Sequence, residues 1–368
     1  MPPDKSAPAL TIRAIRATPV EVPLTYVLGT SRGAVTKAPL LLIDLETEEG
    51  VTGHAYLFCY LRVAAPAMVS MLGEIETLTK GARVAPVELW DNLAKRFTLI
   101  GVQGIVRMAM AGFDVACWDA LALAAGLPLT DFLGAKRRPI PAYNSCGLGL
   151  MDKAALADEA EKLLAGGFGA MKLRLGYATL AEDIAAVHAV RKRIPGEVRL
   201  MADYNQALSV DEALARGRAL DKENIYWLEE PIRHDDYAGA AKLARELKTP
   251  IQLGENFSEV HAMAAALDAG AADYVMPDLE RIGGVTGWQR AAKLAAVNRV
   301  EMSSHLFPEV SAHLLAATPT CHYLEYVDWA DVLLEEPLVI SGGHATPPAH
   351  PGNGLRWKKD AVEHFRLR

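Results

Sequence analysis

Met171-Lys172-Leu173-Arg174-Leu175 is an apolar run interrupted by two cations. Read as a strand, it puts Lys172 and Arg174 on one face, because successive side chains alternate sides. Alone, the run fits an amphipathic edge strand with a solvated basic face. It also fits a strand buried on both faces, which carries cations only where anions must be held. The segments on either side decide between the two.

After Pro139 the chain alternates short apolar runs with amphipathic helical segments, the pattern of βα units around a parallel sheet. The strand candidates are Ile140 to Asn144, Ala170 to Leu175, Val198 to Ala202, Ile225 to Leu228, Ile251 to Leu253, Tyr274 to Met276, Val300 to Ser303 and Tyr323 to Leu324. Helical segments such as Asp183 to Arg193 lie between them. Ser209 with Glu212 has the capping-box spacing that opens a helix running to Leu220. Eight such strands predict an α/β chain with a modified TIM (β/α)8-type barrel over residues 139–334.

Residues 1–138 read as an α+β capping domain. Ile12 to Val22 is rich in β-branched residues, and Leu40 to Leu45 leads through Glu48-Glu49-Gly50 into Val51 to Leu57, a hairpin signal. From Ala64 to Ala125 the periodicity is helical, ending at Gly126 ahead of Pro128. Leu28 to Val35, with Gly29 and Gly33, reads as a mobile loop rather than core. Residues 335–368, punctuated by Gly and Pro, read as a segment packing back on the capping domain.

The 368 residues suffice for a barrel and a smaller domain, and 51% hydrophobic with 23% charged residues is ordinary for a globular enzyme. A net charge of −7 gives no general attraction to nucleic acid or anionic membranes. Cys59, Cys117, Cys146 and Cys321 are scattered without metal-ligand spacing, which argues for reduced thiols. Met1 to Pro8 lacks the apolar core of a signal peptide, and no apolar run reaches bilayer-spanning length. The expected location is cytoplasmic.

The polar residues that follow the strands carry the chemistry: Ser145, Lys172 and Arg174, Asp203, Glu229, Glu255, Asp278, His305 and Glu325. From Lys172 onward the gaps are 31, 26, 26, 23, 27 and 20 residues, about one βα unit each. One acid at a strand end is usually a solvated loop residue or a helix cap. Seven polar positions in succession, from Lys172 to Glu325, describe a catalytic rim, which in a barrel of this type lies at the carboxyl ends of the strands.

Asp203, Glu229 and Glu255 lie on three consecutive strands and converge, and three hard oxygen donors without Cys or His suit Mg²⁺. Glu230 is expected on the opposite side of its strand, outside the metal set. Asp278 and His305 follow on the next two strands, where the Asp orients the imidazole and raises its basicity. Lys172 and Arg174 are expected to face this dyad across the barrel mouth, and Glu325 to offer a proton or hydrogen bond to a developing oxyanion. Cation, metal and acid together stabilise the second negative charge that appears when a proton α to a carboxylate is removed.

The sequence resembles the mandelate racemase subgroup of the enolase superfamily over nearly its whole length. The resemblance is carried by Gly53-His54-Ala55-Tyr56-Leu57-Phe58, Asp203-Tyr204-Asn205-Gln206, Glu229-Glu230-Pro231, Gly254-Glu255-Asn256, Ile282-Gly283-Gly284-Val285-Thr286-Gly287-Trp288 and Ser303-Ser304-His305-Leu306-Phe307. It implies a capping domain whose loop near Leu28 to Val35 closes on substrate, and Mg²⁺ at Asp203, Glu229 and Glu255. It implies Lys172 and Glu325 on the substrate carboxylate, Asp278 and His305 as the base for one face, and Ser145 and Asn205 as polar contacts. Leu28, Val35, Tyr60, Leu306 and Val327 would supply apolar lining, and the chain would form a homo-oligomer. The departure is Arg174, where the resemblance calls for a second Lys as base for the opposite face. Arg stays protonated, with a pKa above about 12.

The expected activity is racemisation or epimerisation of a small 2-hydroxy carboxylate through an enediolate. The alternatives are an acid-sugar dehydratase that uses His305 alone and a non-catalytic carboxylate-binding relative. The apolar lining favours the first, whereas Arg174 counts against it and is compatible with the second.

Overall fold

The computed structural model describes residues 9–31 and 33–367. Met1 to Pro8, which carry the expectation about a signal peptide, and Arg32 within the Leu28 to Val35 stretch lie outside the described residues. No helix among the described residues is long and apolar enough to cross a membrane.

Strands β1 (Ile12–Thr30), β2 (Gly33–Thr47) and β3 (Thr52–Phe58) form an antiparallel sheet. Helices α1 (Ala64–Thr79), α2 (Pro86–Arg96) and α3 (Ile105–Ala124) pack with it. The helical stretch read from the sequence as 64–125 is thus three pieces: Pro86 opens α2, and Gly104, at φ 52°, precedes α3. Both breaks follow local chemistry, since Pro suits a helix start and Gly tolerates positive φ. Helix α3 is rich in small residues because it lies hard against the sheet. A Cβ at Gly53 would fall 2.0 Å from the Ala116 carbonyl oxygen.

On either side of residues 31–32 the Leu28 to Val35 stretch is paired strand, not the loop expected from the sequence. Leu28 pairs with Val35, Gly29 with Ala34 and Thr30 with Gly33, so β1 and β2 run on as a ribbon past an irregularity between Pro23 and Leu28. Its tip is seated on the barrel: Leu150 N donates to the Gly29 carbonyl at 2.8 Å, and Ser31 Oγ donates to the Tyr204 carbonyl at 3.2 Å. Glycine misled the sequence reading, because at Gly29 it serves close packing. A Cβ there would sit 2.7 Å from the Leu150 oxygen.

A short helix, α4 (Leu129–Phe132), leads into eight strands: β4 (Ile140–Asn144), β5 (Ala170–Arg174), β6 (Arg199–Asp203), β7 (Ile225–Glu229), β8 (Ile251–Leu253), β9 (Tyr274–Val275), β10 (Glu301–Met302) and β11 (Leu324–Tyr326). Neighbours from β4 to β10 pair in parallel and in sequence order, and β11 pairs in parallel with β4. Closure comes from the Met302–Cys321 bridge and a 3.0 Å bond from Ser304 N to the Tyr323 carbonyl. The result is a TIM-type barrel with a capping domain.

Helices α5 (Lys153–Lys162), α6 (Leu180–Arg191), α7 (Val210–Leu220), α8 (Tyr237–Glu246), α9 (Val260–Asp268), α10 (Leu279–Ile282), α11 (Gly284–Asn298) and α12 (Pro308–Ala316) fill the connections. Thr179 with Glu182 and Ser209 with Glu212 form reciprocal capping boxes at α6 and α7, satisfying donors that a helix start leaves open. After β11 the chain makes a short 3-10 turn, Asp331–Leu333. Strands β12 (Ile340–Ser341) and β13 (His344–Ala345) form a hairpin, and β13 pairs antiparallel with Ile140 and Pro141 of β4. The chain then crosses to the capping sheet, where Trp357 Nε1 donates to Asp44 at 2.8 Å and α13 (Lys359–Phe365) ends it.

Residues 282–288 explain how cap and barrel are held in register. Gly283 (φ 104°) and Gly284 (φ 67°) sit in the left-handed region. A Cβ on Gly283 would meet the Trp90 ring at 2.8 Å, and one on Gly284 the Asp114 carboxylate at 2.5 Å. Asp114 in turn accepts from Thr286 Oγ1 and N at 2.5 and 2.9 Å.

Candidate active site

The carboxyl ends of β5 to β8 bring one ammonium and three carboxylates together. Lys172 and Arg174, two apart on β5, are both buried. Lys172 Nζ lies 2.5 Å from Glu229 Oε1, 2.8 Å from Glu325 Oε1 and 3.5 Å from Asp203 Oδ2. Asp203, Glu229 and Glu255 each offer an oxygen within 4.8 Å of the others. Burial opposes the charge on Lys172, but the Glu229, Glu325 and Asp203 carboxylates outweigh it and raise its pKa. Glu229 is pushed up to about 8, first by burial and then by the crowding of Asp203, Glu325 and Glu255, with Lys172 working the other way. One ammonium does not neutralise this many carboxylates. A divalent cation among hard oxygen donors fits this excess of charge, and Mg²⁺ is the hard cation such a set suits.

Glu230 stays outside this group. It accepts from Asn256 Nδ2 at 2.7 Å, and the same amide nitrogen donates to Glu255 Oε1 at 3.0 Å. Arg281 Nη1 completes the support with bonds to the Glu255 carbonyl and Asn256 Oδ1, at 2.9 and 2.8 Å. Asn205, expected as a polar contact, directs its N and Nδ2 to Asp203 at 2.7 and 3.0 Å. Trp227 Nε1 donates to Glu229 Oε2 at 3.2 Å. Sequence reasoning passed over Trp227, Asn256 and Arg281. The signal for Trp227 was its position two residues before Glu229, on the same strand face.

His305 follows β10 and is buried with Asp278, whose Oδ2 lies 2.6 Å from His305 Nδ1. The opposite ring nitrogen, Nε2, is 3.4 Å from Glu255 and 3.9 Å from Glu325. Burial lowers the imidazole pKa, but Glu325, Glu255 and Asp278 prevail and hold it at about 9. Asp278 also caps α10, its Oδ1 accepting from Glu280 N at 2.8 Å and Arg281 N at 3.0 Å. The Asp is therefore fixed from both sides, and with it the ring.

Glu325 Oε2 accepts from Leu306 N at 2.8 Å, and its Oε1 from Ser145 Oγ at 2.7 Å. Burial would raise its pKa, yet Lys172 and His305 hold it well below the usual carboxylate range. Glu325 is thus an acceptor in this state. Arg174 joins the group through Ser145: Nη2 donates to Ser145 Oγ at 2.7 Å, and Nη1 donates to the Ser145 and Gly147 carbonyls at 3.0 and 2.7 Å. Its fork binds the loop after β4, the loop that receives the β1–β2 ribbon.

The five apolar positions come from the β1–β2 ribbon, the turn after β3 and the segments after β10 and β11. Leu28 and Val35 face each other across the ribbon, Leu306 follows His305 and Val327 follows β11. Leu28, Leu306 and Val327 are buried. Tyr60 packs its ring 4.4 Å from that of Phe58 and 4.5 Å beneath the Arg281 guanidinium.

Two family models match the chain: "Mandelate racemase / muconate lactonizing enzyme, N-terminal domain" over residues 12–134 and "Enolase C-terminal domain-like" over residues 155–361. A solved enolase from Bradyrhizobium, complexed with magnesium and mandelic acid, superposes with a TM-score of 0.94 at 38% identity, covering 98% of this chain and 99% of that one. The L-talarate/galactarate dehydratase of Salmonella typhimurium is 30% identical over 94% of this chain and 86% of its own length. The 3,6-anhydro-alpha-L-galactonate cycloisomerase of Streptomyces coelicolor is also 30% identical, over 94% of this chain and 96% of its own length.

Proposed function

This chain belongs to the mandelate racemase / muconate lactonizing enzyme family of enolase-like proteins, and from that premise we propose that it is a Mg²⁺-dependent hydro-lyase acting on a 2,3-dihydroxy carboxylate. The observation that carries the reading is the engagement of Arg174. Its guanidinium donates to Ser145 and Gly147, and a guanidinium has no acceptor with which to take a proton. His305, oriented by Asp278, is the base, and the proton comes from one face of the substrate.

Asp203, Glu229 and Glu255 would hold the Mg²⁺, which would supply Lewis-acid stabilisation of the substrate carboxylate. The chain's own groups do the rest. Lys172 binds the carboxylate and offsets the charge that builds on it, and Glu325, fixed by Leu306 N and Ser145 Oγ, orients it. His305 Nε2 takes the α-proton, because Asp278 occupies Nδ1. The resulting enediolate expels the β-hydroxyl, which leaves as water with the proton from His305, and the enol product tautomerises to a 2-keto acid. Proton and hydroxyl leave from one side, so a single base suffices. The L-talarate/galactarate dehydratase likeness supports this reading.

A second reading, racemisation of a 2-hydroxy acid with an apolar substituent, is favoured by the apolar residues Leu28, Val35, Leu306 and Val327 and by the mandelic acid bound to the Bradyrhizobium relative. Incubation with mandelate and with a panel of sugar acids in D₂O separates the two. The lyase gives 2-keto acid from a sugar acid and exchanges one mandelate enantiomer at most. Loss of optical rotation on mandelate with α-deuterium in both enantiomers, and no keto acid from any sugar acid, would overturn the proposal.

A further inference from the structure

The floor beneath the carboxylate cluster is aromatic. Trp227, fully buried on β7, is held edge-on by Tyr143 and Tyr323 at centroid distances of 5.4 and 6.0 Å and packs against His322 at 5.7 Å. Rings on these sides restrict the movement of the indole. Its N–H points up the strand to Glu229 Oε2 at 3.2 Å, while Lys172 holds Oε1 at 2.5 Å. Each oxygen of this carboxylate therefore has its own donor, set at a fixed angle. The other tryptophan N–H groups with a hydrogen-bond partner reach Thr286, Thr318 and Asp44, none of them in the cluster.

We propose that Trp227 is a positioning residue of the metal centre: its N–H fixes the plane of the Glu229 carboxylate, so that Glu229 meets the cation pre-oriented, and its indole reports the event. Lys172 alone leaves that plane free to turn about one oxygen. A second donor, built on the same strand and clamped by rings, removes that freedom before metal arrives. Groups that orient a ligand in this way typically contribute about ten- to a hundredfold in metal affinity. The inference rests on the Mg²⁺ site proposed above.

The test is Mg²⁺ binding to the whole protein by calorimetry, together with tryptophan emission during the same titration. Two variants are used. Trp227→Phe keeps an aromatic ring, and 3-benzothienylalanine placed at 227 keeps the indole shape with sulfur in place of N–H, which covers the case in which the Phe variant fails to fold. Wild type should bind one Mg²⁺ with a change in emission. Both variants should bind about tenfold more weakly and lose most of that change. Equal affinity in wild type and the benzothienyl variant overturns the role of Trp227 and leaves the metal site standing. Absence of Mg²⁺ binding in wild type overturns both.

Discussion

Arg174 donates from Nη2 to the Ser145 hydroxyl at 2.7 Å, and that hydroxyl in turn donates to Glu325 at 2.7 Å. The residue that breaks the expected pair of lysines on β5 is thus part of the frame around the site. Its planar fork also reaches two carbonyls at once, which a lysine ammonium does in a different geometry. Arg174→Lys should therefore lower kcat by about tenfold or more, since a charge-assisted hydrogen bond is worth roughly 1.5–3 kcal/mol. It should at the same time let the slow enantiomer exchange its α-proton, since a lysine beside Lys172 can lose its proton and serve the opposite face, as Arg174 cannot. NMR of each pure α-hydroxy acid enantiomer in D₂O checks this. Equal α-exchange of both enantiomers by the wild type would make Arg174 a working base and remove the one-base reading.

Stripping the metal and weakening its ligands should act together. Glu229→Gln removes one charge from the three-carboxylate set, and we expect at least about a hundredfold loss of kcat/KM with weakened Mg²⁺ binding. Chelation of the wild type should abolish turnover reversibly. It should also lower Tm relative to the loaded protein, because a cation at 100 times its Kd stabilises the fold by about 2.7 kcal/mol. Full turnover in chelator would contradict the assignment of Asp203, Glu229 and Glu255.

The rim was legible because polar residues recur once per βα unit at the ends of apolar runs, and neither a lone strand nor a lone helix produces that spacing. What surrounds the rim was not. Trp227 has the pattern of a core residue, and only its N–H distinguishes it. The partners of Asn256 and Arg281 depend on how neighbouring βα loops stack. The ribbon tip was misread because Gly29 packs against Leu150, and a backbone-to-backbone contact between distant segments leaves no periodic trace. Residues 282–288 stood out as a motif, but their reason, the fit of Gly283 and Gly284 against Trp90 and Asp114 of the cap, appears only once both domains are folded.

That interface carries a pH dependence. Burial pushes the Asp114 carboxyl up to about 7, against the hydrogen bonds from Thr286 that favour its charged form. A carboxyl with a raised folded pKa is bound to its proton more tightly when folded, so its contribution to stability is fully present below about pH 4 and is lost as pH rises through about 7. The change is at most about 4 kcal/mol at ~1.4 kcal/mol per pKa unit. Asp114→Asn should flatten this part of the profile, and the wild-type minus variant difference in unfolding free energy should fall between pH 4 and 7. A difference that rises over this range would mean Asp114 is charged in the folded state.

Gly29 offers the sharpest test of how the cap meets the barrel. Its Cα faces the Leu150 backbone, where an added Cβ would stand 2.7 Å from the oxygen and 3.1 Å from the nitrogen, and Leu150 N bonds to the Gly29 carbonyl. Gly29→Ala must therefore lift the ribbon tip off the loop after β4. The tip lies beyond the irregularity that follows Pro23, so the core of the capping sheet does not have to move with it. The same loop carries the Ser145 and Gly147 carbonyls held by Arg174, so the disturbance passes toward the substrate end. We expect Tm to change by no more than a few degrees, while kcat/KM falls by about tenfold or more, largely through KM, because a displaced cap weakens ground-state and transition-state binding alike. Steady-state kinetics beside thermal melts decide it: unchanged KM, or loss of activity only in step with unfolding, would mean that the seat of Gly29 on Leu150 does not govern substrate binding.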